Sequence, residues 1–348
     1  MQGPRRENNH PPLGIVVYQN IVKLTTGWRT AVRFDPIPRL LSAKSVPIQY
    51  FSRRDLLGED VGSIQQLWLL PEPKKILDYQ LANGAWKYHG GREQIRTEED
   101  YNQIETFRIL RLLVEKFGFN RESRAIERAA SFLFSRQSGE GDFRGIAGHQ
   151  YIPYYHAAIM ELLIKSGFGN DSRIERGFKW LNSIRQNDGG WAFPLRTLGR
   201  KLDRETFGGP TLEPDRSKPS SHLVTGMVLR AFAADPSRRK SEEAHIAGRL
   251  LQSRFFKQDH YIDRKAASFW TSFSFPFWFN DLLSSLDSLS LLGFGRDDPD
   301  IGKGIDWFVK RQNKSGLWKL PLRIMAGEPE PHAWITLAIC KVLKRFHR

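Results

Sequence analysis

The chain has 348 residues, 40% of them hydrophobic and 26% charged, with a formal net charge of +15. That is enough chain to bury a full core and an ordinary globular balance, so a disordered composition is excluded. Its one cysteine, Cys340, excludes an internal disulfide framework and a cysteine-rich zinc site and suits a reducing cytoplasm, the expected location.

In chain order, residues 1–12 are polar and are followed by only a short apolar run, which does not make a signal peptide. Residues 1–30 are expected to form an arm ahead of one domain over 31–348, whose first part, 31–60, makes an irregular helical unit. Beyond it a pattern recurs. Gln80 leads to Gly84 and Trp86, Gln137 to Gly141 and Phe143, Gln186 to Gly190 and Trp191, and Gln312 to Gly316 and Trp318; in a degraded copy Gln252 leads to Phe255 and Phe256 with no glycine. Each glutamine ends a helix-like stretch. Between the copies, residues 104–117, 155–166, 222–232, 282–292 and 333–343 are apolar on a 3.6-residue period and predict a second helix per repeat. Gly118, Gly169 and Gly295 are expected to end helices in the left-handed conformation, with Asn or Asp just beyond to cap the next one. No run of eighteen apolar residues occurs, so no membrane-spanning helix is expected. Helix pairs too short to bury their own faces must stack, into an open superhelix or a closed ring.

The glutamine, glycine, tryptophan pattern resembles the QW repeat of triterpene cyclases, most clearly from Arg176 through Trp180 to Gln186 and Trp191. Tyr155-His156-Ala157-Ala158 and Pro331-His332-Ala333-Trp334 resemble the inner-helix starts of prenyltransferase and squalene-oxidase repeats. The resemblance spans roughly residues 70–345 and implies an all-α fold, an (α/α) toroid or barrel of about five to six helix pairs with an inner and an outer ring. Among one-toroid relatives it is closest to stand-alone repeat proteins.

The same resemblance frames the chemistry. Squalene cyclases protonate an alkene with an aspartate of a DxDD motif, which this sequence lacks; Asp297-Asp298-Pro299-Asp300 reads instead as a helix cap. Protein prenyltransferases hold zinc with an aspartate, a cysteine two residues on, and a histidine at the next inner-helix start. Asp281 and His332 match, but Leu283 stands where the cysteine belongs. His156 and His222 begin other inner helices, so zinc held by Asp281, His332 and His156, or a proton shared among Asp281, His332, His156 and His222, is one expectation. The plainer one is that each histidine bonds its own helix end. Asp281 and His332 are the catalytic candidates. Trp270, Phe277 and Trp278, with His156 and His222, are the ligand-binding ones, lining a cavity for an isoprenoid or other apolar molecule. Trp86, Trp191 and Trp318 read as structural. Two further readings are a non-catalytic scaffold whose basic surface binds nucleic acid or a protein partner, and a polysaccharide-active toroid using Asp281 with Glu328 or Glu330.

Overall fold

The structure, a computed structural model, describes residues 27–91, 96–323 and 328–347; most of the expected arm, residues 1–26, lies outside them. Among the described residues the chain is helical, and its β-bridges are isolated ones. The helices are α1 (Ile37–Leu41), α2 (Val46–Phe51), α3 (Pro71–Leu77), α4 (Glu98–Phe117), α5 (Arg124–Ser135) and α6 (Pro153–Leu163). After these come α7 (Ser172–Ser183), α8 (His222–Ala234), α9 (Glu242–Gln252), α10 (Leu282–Leu291), α11 (Pro299–Arg311) and α12 (Pro331–Phe346), with two short helical turns, Pro194–Thr197 and Arg204–Gly208, between α7 and α8. π-helical turns, Ser52–Leu57 and Ile164–Phe168, extend α2 and α6.

Even-numbered helices form the inner layer and odd-numbered ones the outer. Every residue of α8 from His222 to Ala233 is buried, which a helix achieves only with neighbours on all sides. Those neighbours are α6, α9 and α10. Outer helices bury one stripe each: α11 turns Ile301, Gly304, Ile305 and Phe308 inward, and α7 turns Ile174, Gly177, Phe178 and Leu181 inward, the spacing of an amphipathic helix. The inner layer runs α4, α6, α8, α10, α12, and α12 then packs on α1, α2 and the 3-10 helix Gly27–Ala31. The last helix thus meets the first elements, and Lys116 of α4 joins them through Glu328 at 2.8 Å.

The repeated residues make the joints of this ring. Gln80 Nε2 donates to the carbonyls of Gly84 and of Ala125, at the start of the next outer helix; Gln137 does the same to Gly141 and Arg173. Gln312 closes the ring, donating to Gly316 and Phe34 while its Oε1 accepts from Arg33 and Phe34. The glycines follow from the same contact: Gly84, Gly141 and Gly316 have φ of +90°, +111° and +83°, and a Cβ on them would lie 2.2, 2.7 and 2.6 Å from the carbonyls of Arg128, Arg176 and Asp35. Only glycine tolerates both the left-handed backbone and that approach. The tryptophan ties inward: Trp86, Trp191 and Trp318 donate Nε1–H to Ile76, Leu181 and Phe308 of their own outer helices.

One expected detail is corrected and one holds. After α6 and α10 the left-handed residues are Gly167 and Gly293, not Gly169 and Gly295. As expected, aspartates cap the helices that follow: Asp171 and Asp298 accept from the backbone N–H groups of Arg173 and Asp300, while the N-cap of α5 is Ser123, whose side chain makes no capping bond. After α4 the left-handed residue is Gly118, as expected; after α6 and α10 it comes two residues earlier than expected, and the second glycine is an ordinary turn residue.

Candidate functional site

Inside the ring lies a cavity of about 210 Å³ bounded by Phe51 of α2, Phe275 and Phe277 of the segment before α10, and Leu291, Trp334 and Leu337 of α10 and α12. The rings of Phe275 and Trp334 stack at 4.7 Å with planes 12° apart, and Phe277 meets Phe275 edge-on at 5.8 Å. Its remaining walls are charged: Glu115, Lys165, Asp287, Lys341 and Arg345.

These charges are paired with one another. Asp287 accepts from Arg345, and Lys341 lies 2.8 Å from Asp55. Lys165 bridges Glu115 and Glu161, both at 2.7 Å. Behind Lys165 the fully buried Glu161 also meets Arg111 at 3.1 Å and Arg230 at 2.8 Å. Burial alone would raise the proton affinity of Glu161, but Arg230, Lys165 and Arg111 outweigh it and hold the carboxyl well below the usual range. Asp287 is likewise held low: Arg345, Lys165 and Lys341 overcome its burial. The carboxylates of Asp287 and Glu161 therefore stay ionised and act as counter-ions.

Of the residues expected from the sequence, Phe277 lines this cavity. His156 does not face it. Its Nδ1 accepts the backbone N–H of Phe143 at 3.0 Å and its Nε2 lies 3.2 Å from the Gly177 carbonyl, so both ring nitrogens are used and burial lowers its pKa to about 4. Thr106, Thr225 and Thr336 do the same for the N–H groups of Trp86, Trp191 and Trp318; His156 is the fourth member of that set. His222 stacks on Trp270 at 4.6 Å and sits 3.5 Å from Asp259, with its pKa also lowered to about 4 by burial. Trp270 is buried and donates Nε1–H to the Lys257 carbonyl. Trp278 is half-buried against Phe107. Asp281 is the N-cap of α10, closing a capping box with Ser284; burial raises its pKa to about 7 against those hydrogen bonds. His332, near the start of α12, has its pKa lowered by burial and Lys319.

The zinc expectation is corrected by these donors. His156 has no free nitrogen, one oxygen of Asp281 is committed to the helix end, and among the described residues no group of three or more His, Cys, Asp or Glu side chains could hold a metal ion. The carboxylate pair expected of a polysaccharide enzyme is corrected too: Glu328 bonds Lys116 and Trp334 Nε1, and Glu330 accepts from the Ser45 backbone. Both acids tie the start of α12 to its neighbours. Phe51, Trp334, Glu115, Lys165, Asp287, Lys341 and Arg345 were missed because they are scattered over separate helices; the one available signal was a polar residue on an otherwise apolar inner helix.

Residues 100–199 match the squalene-hopene cyclase C-terminal domain family. A squalene–hopene cyclase of Bradyrhizobium diazoefficiens is 29% identical over 153 residues, which cover 43% of this chain and 21% of the relative. A probable squalene–hopene cyclase of Sinorhizobium fredii is 26% identical over 162 residues, 46% of this chain and 23% of the relative. The matched stretch is thus about a fifth of the length of these relatives. A variant of the type II terpene cyclase MstE from Scytonema superimposes with a TM-score of 0.42 and 14% identity, covering 81% of this chain and 84% of that one. By its sequence matches the chain is terpenoid cyclase-like, with a squalene-hopene cyclase-type segment over residues 100–199. Among the described residues no helix is long and apolar enough to cross a membrane.

Proposed function

We propose that the ring binds a short isoprenoid-type chain, or one end of a longer one, in its aromatic cavity. The observation that carries this reading is the convergence of Phe51, Phe275, Phe277 and Trp334 on one partly open space, which offers dispersion contacts to an alkene and π-faces to electron-poor carbon. At about 210 Å³ the space is small beside the ~300–1,000 Å³ of ordinary small-molecule sites, which favours a short ligand.

The same geometry limits the chemistry. Alkene protonation needs a carboxylic acid that keeps its proton at neutral pH. Asp281 has the raised affinity but caps α10 away from the cavity wall, and Asp287, which is on the wall, is held ionised by three cations. The reading is accordingly ligand binding, with Asp287 and Glu115 able to oppose positive charge in the ligand.

Titration calorimetry with geraniol and farnesol tests it. Saturable binding by the parent chain, weakened at least about tenfold in Trp334→Ala and Phe275→Ala variants, is expected. No heat with either alcohol at concentrations that dissolve them overturns the reading.

A further inference from the structure

The fourth joint of the outer ring has a phenylalanine where the other joints have a glycine. Counting four residues from each motif glutamine gives Gly84, Gly141, Gly190 and Gly316, but from Gln252 it gives Phe256; at the Gln186 joint the left-handed residue is Gly189, one earlier. Phe256 keeps the left-handed backbone of the glycines, with φ of +63°, and no other described non-glycine residue has a positive φ. A bulky side chain in that region is a strained outlier.

In two other joints the glycine touches the carbonyl of the fifth residue of the next outer helix, Arg128 of α5 and Arg176 of α7. The fifth residue of α11 is Lys303, and here the Phe256 ring fills the glycine's place, with the Lys303 ammonium 5.5 Å from its centre. Gln252 correspondingly bonds the Asp298 side chain and leaves its own Oε1 without a partner. Beside Phe256 lies a cleft of about 600 Å³ lined by Phe256, Arg296, Lys303, Trp307, Lys310 and Arg311, with Asp298 and Asp306.

The cleft's charge is unbalanced. Among the described residues none of Arg296, Lys303, Lys310 and Arg311 is ion-paired with a carboxylate; Lys303 and Arg311 instead lie over the Phe256 and Trp307 rings, at 5.5 and 4.1 Å. Asp298 is also the N-cap of α11, so two carboxylates, Asp298 and Asp306, stand against four cations. Lys303 and Lys310 are seven residues apart on one helix face, so the cations span roughly 10 Å. A single small anion cannot meet them all; two linked phosphate groups can.

We infer that this cleft is a binding site for a ligand carrying a diphosphate or a comparable pair of phosphate groups, with Phe256, in the place of the repeat glycine, as part of its wall. The site is on the outer ring and independent of the central cavity.

The test is binding of inorganic pyrophosphate to the full chain, followed by calorimetry, with sulfate at matched ionic strength as the comparison. Vesicles of phosphatidylcholine with and without phosphatidic acid separate a free phosphate ligand from a lipid headgroup. Expected is pyrophosphate binding at least about tenfold tighter than sulfate, weakened about tenfold or more both in the Lys303→Ala/Lys310→Ala double variant and in Phe256→Gly, which restores the repeat residue and removes the ring that Lys303 lies over. Binding confined to phosphatidic acid vesicles, whose headgroup is a single phosphate, overturns the paired-phosphate inference. Equal affinity for sulfate and pyrophosphate, or binding untouched by the double variant, overturns the inference; the double variant changes exposed positions only and tests it even if Phe256→Gly folds poorly.

Discussion

His156 accepts the buried backbone N–H of Phe143, the task that threonine performs at the equivalent joints. Its imidazole is therefore a structural acceptor, and the ring must be neutral to do this work. His156→Ala leaves that N–H unsatisfied and a cavity beneath Trp180, and is expected to cost about 2–4 kcal/mol in urea unfolding. A His156→Thr variant, which keeps an acceptor, should recover part of the loss if its hydroxyl reaches the N–H; equal losses in both variants would mean that packing against Trp180 and Phe143 dominates.

Acid stability follows from the same two buried histidines. The folded-state pKa of His156 and of His222 is lowered from 6.5 to about 4, so the unfolded chain binds more protons between those values. Their contribution is fully present above about pH 6.5 and is lost as pH falls towards about 4. Chemical unfolding across this window should show stability declining with acid, less steeply in His156→Gln.

Asp281 acts in the opposite sense. With its folded pKa raised from 3.8 to about 7, it favours the fold when protonated and weighs against it increasingly as pH rises from about 4 to about 7. Asn caps a helix about as well as Asp. Asp281→Asn should thus match the parent near pH 4 and be the more stable of the two above pH 7, as read by thermal melts; a variant less stable than the parent at pH 8 would show that the charged form is the one the fold prefers.

Glu161 is the shared counter-ion of Arg111, Arg230 and Lys165. Glu161→Gln leaves three cations around a neutral amide in a buried space and should destabilise by about 3–5 kcal/mol. Denaturant midpoints would measure it, and a loss under 1 kcal/mol would mean that water reaches Arg111 and Arg230.

The ring joints predict a contrast between glycines. Gly316→Ala meets both a left-handed backbone and the Asp35 carbonyl at 2.6 Å, whereas Gly58, with φ of +73°, has nothing within 4 Å of its added Cβ. Gly58→Ala should cost about 1 kcal/mol, and Gly316→Ala clearly more, with loosened packing between α11 and the Phe34 segment visible in hydrogen exchange.

The all-helical architecture was legible because the repeat is local. Glutamine, glycine and tryptophan lie within a dozen residues, and the inner helices show their period directly; α8 begins at the expected His222. The cavity was not legible. Phe51, Glu115, Lys165, Asp287 and Trp334 come from five parts of the chain and meet only in the closed ring, while Asp281, His156 and His332 drew notice by resemblance and turn out to be bound up with helix starts and joints. The degraded copy at Gln252 was visible as a defect, but only the backbone angle of Phe256 shows that the defect is a shape.

Gln312 holds Phe34, 278 positions before it in the chain, and the neighbouring Arg33. Joining points that far apart costs entropy that grows with the logarithm of the separation, and the joint can form only after α11 has been synthesised. During translation the inner face of α2 must therefore wait, uncovered, for α12, so the nascent chain carries an open apolar edge through most of its synthesis. The hazard for this protein is the growing chain's exposure to other chains, and a chaperone would act on it before the finished molecule ever needed one.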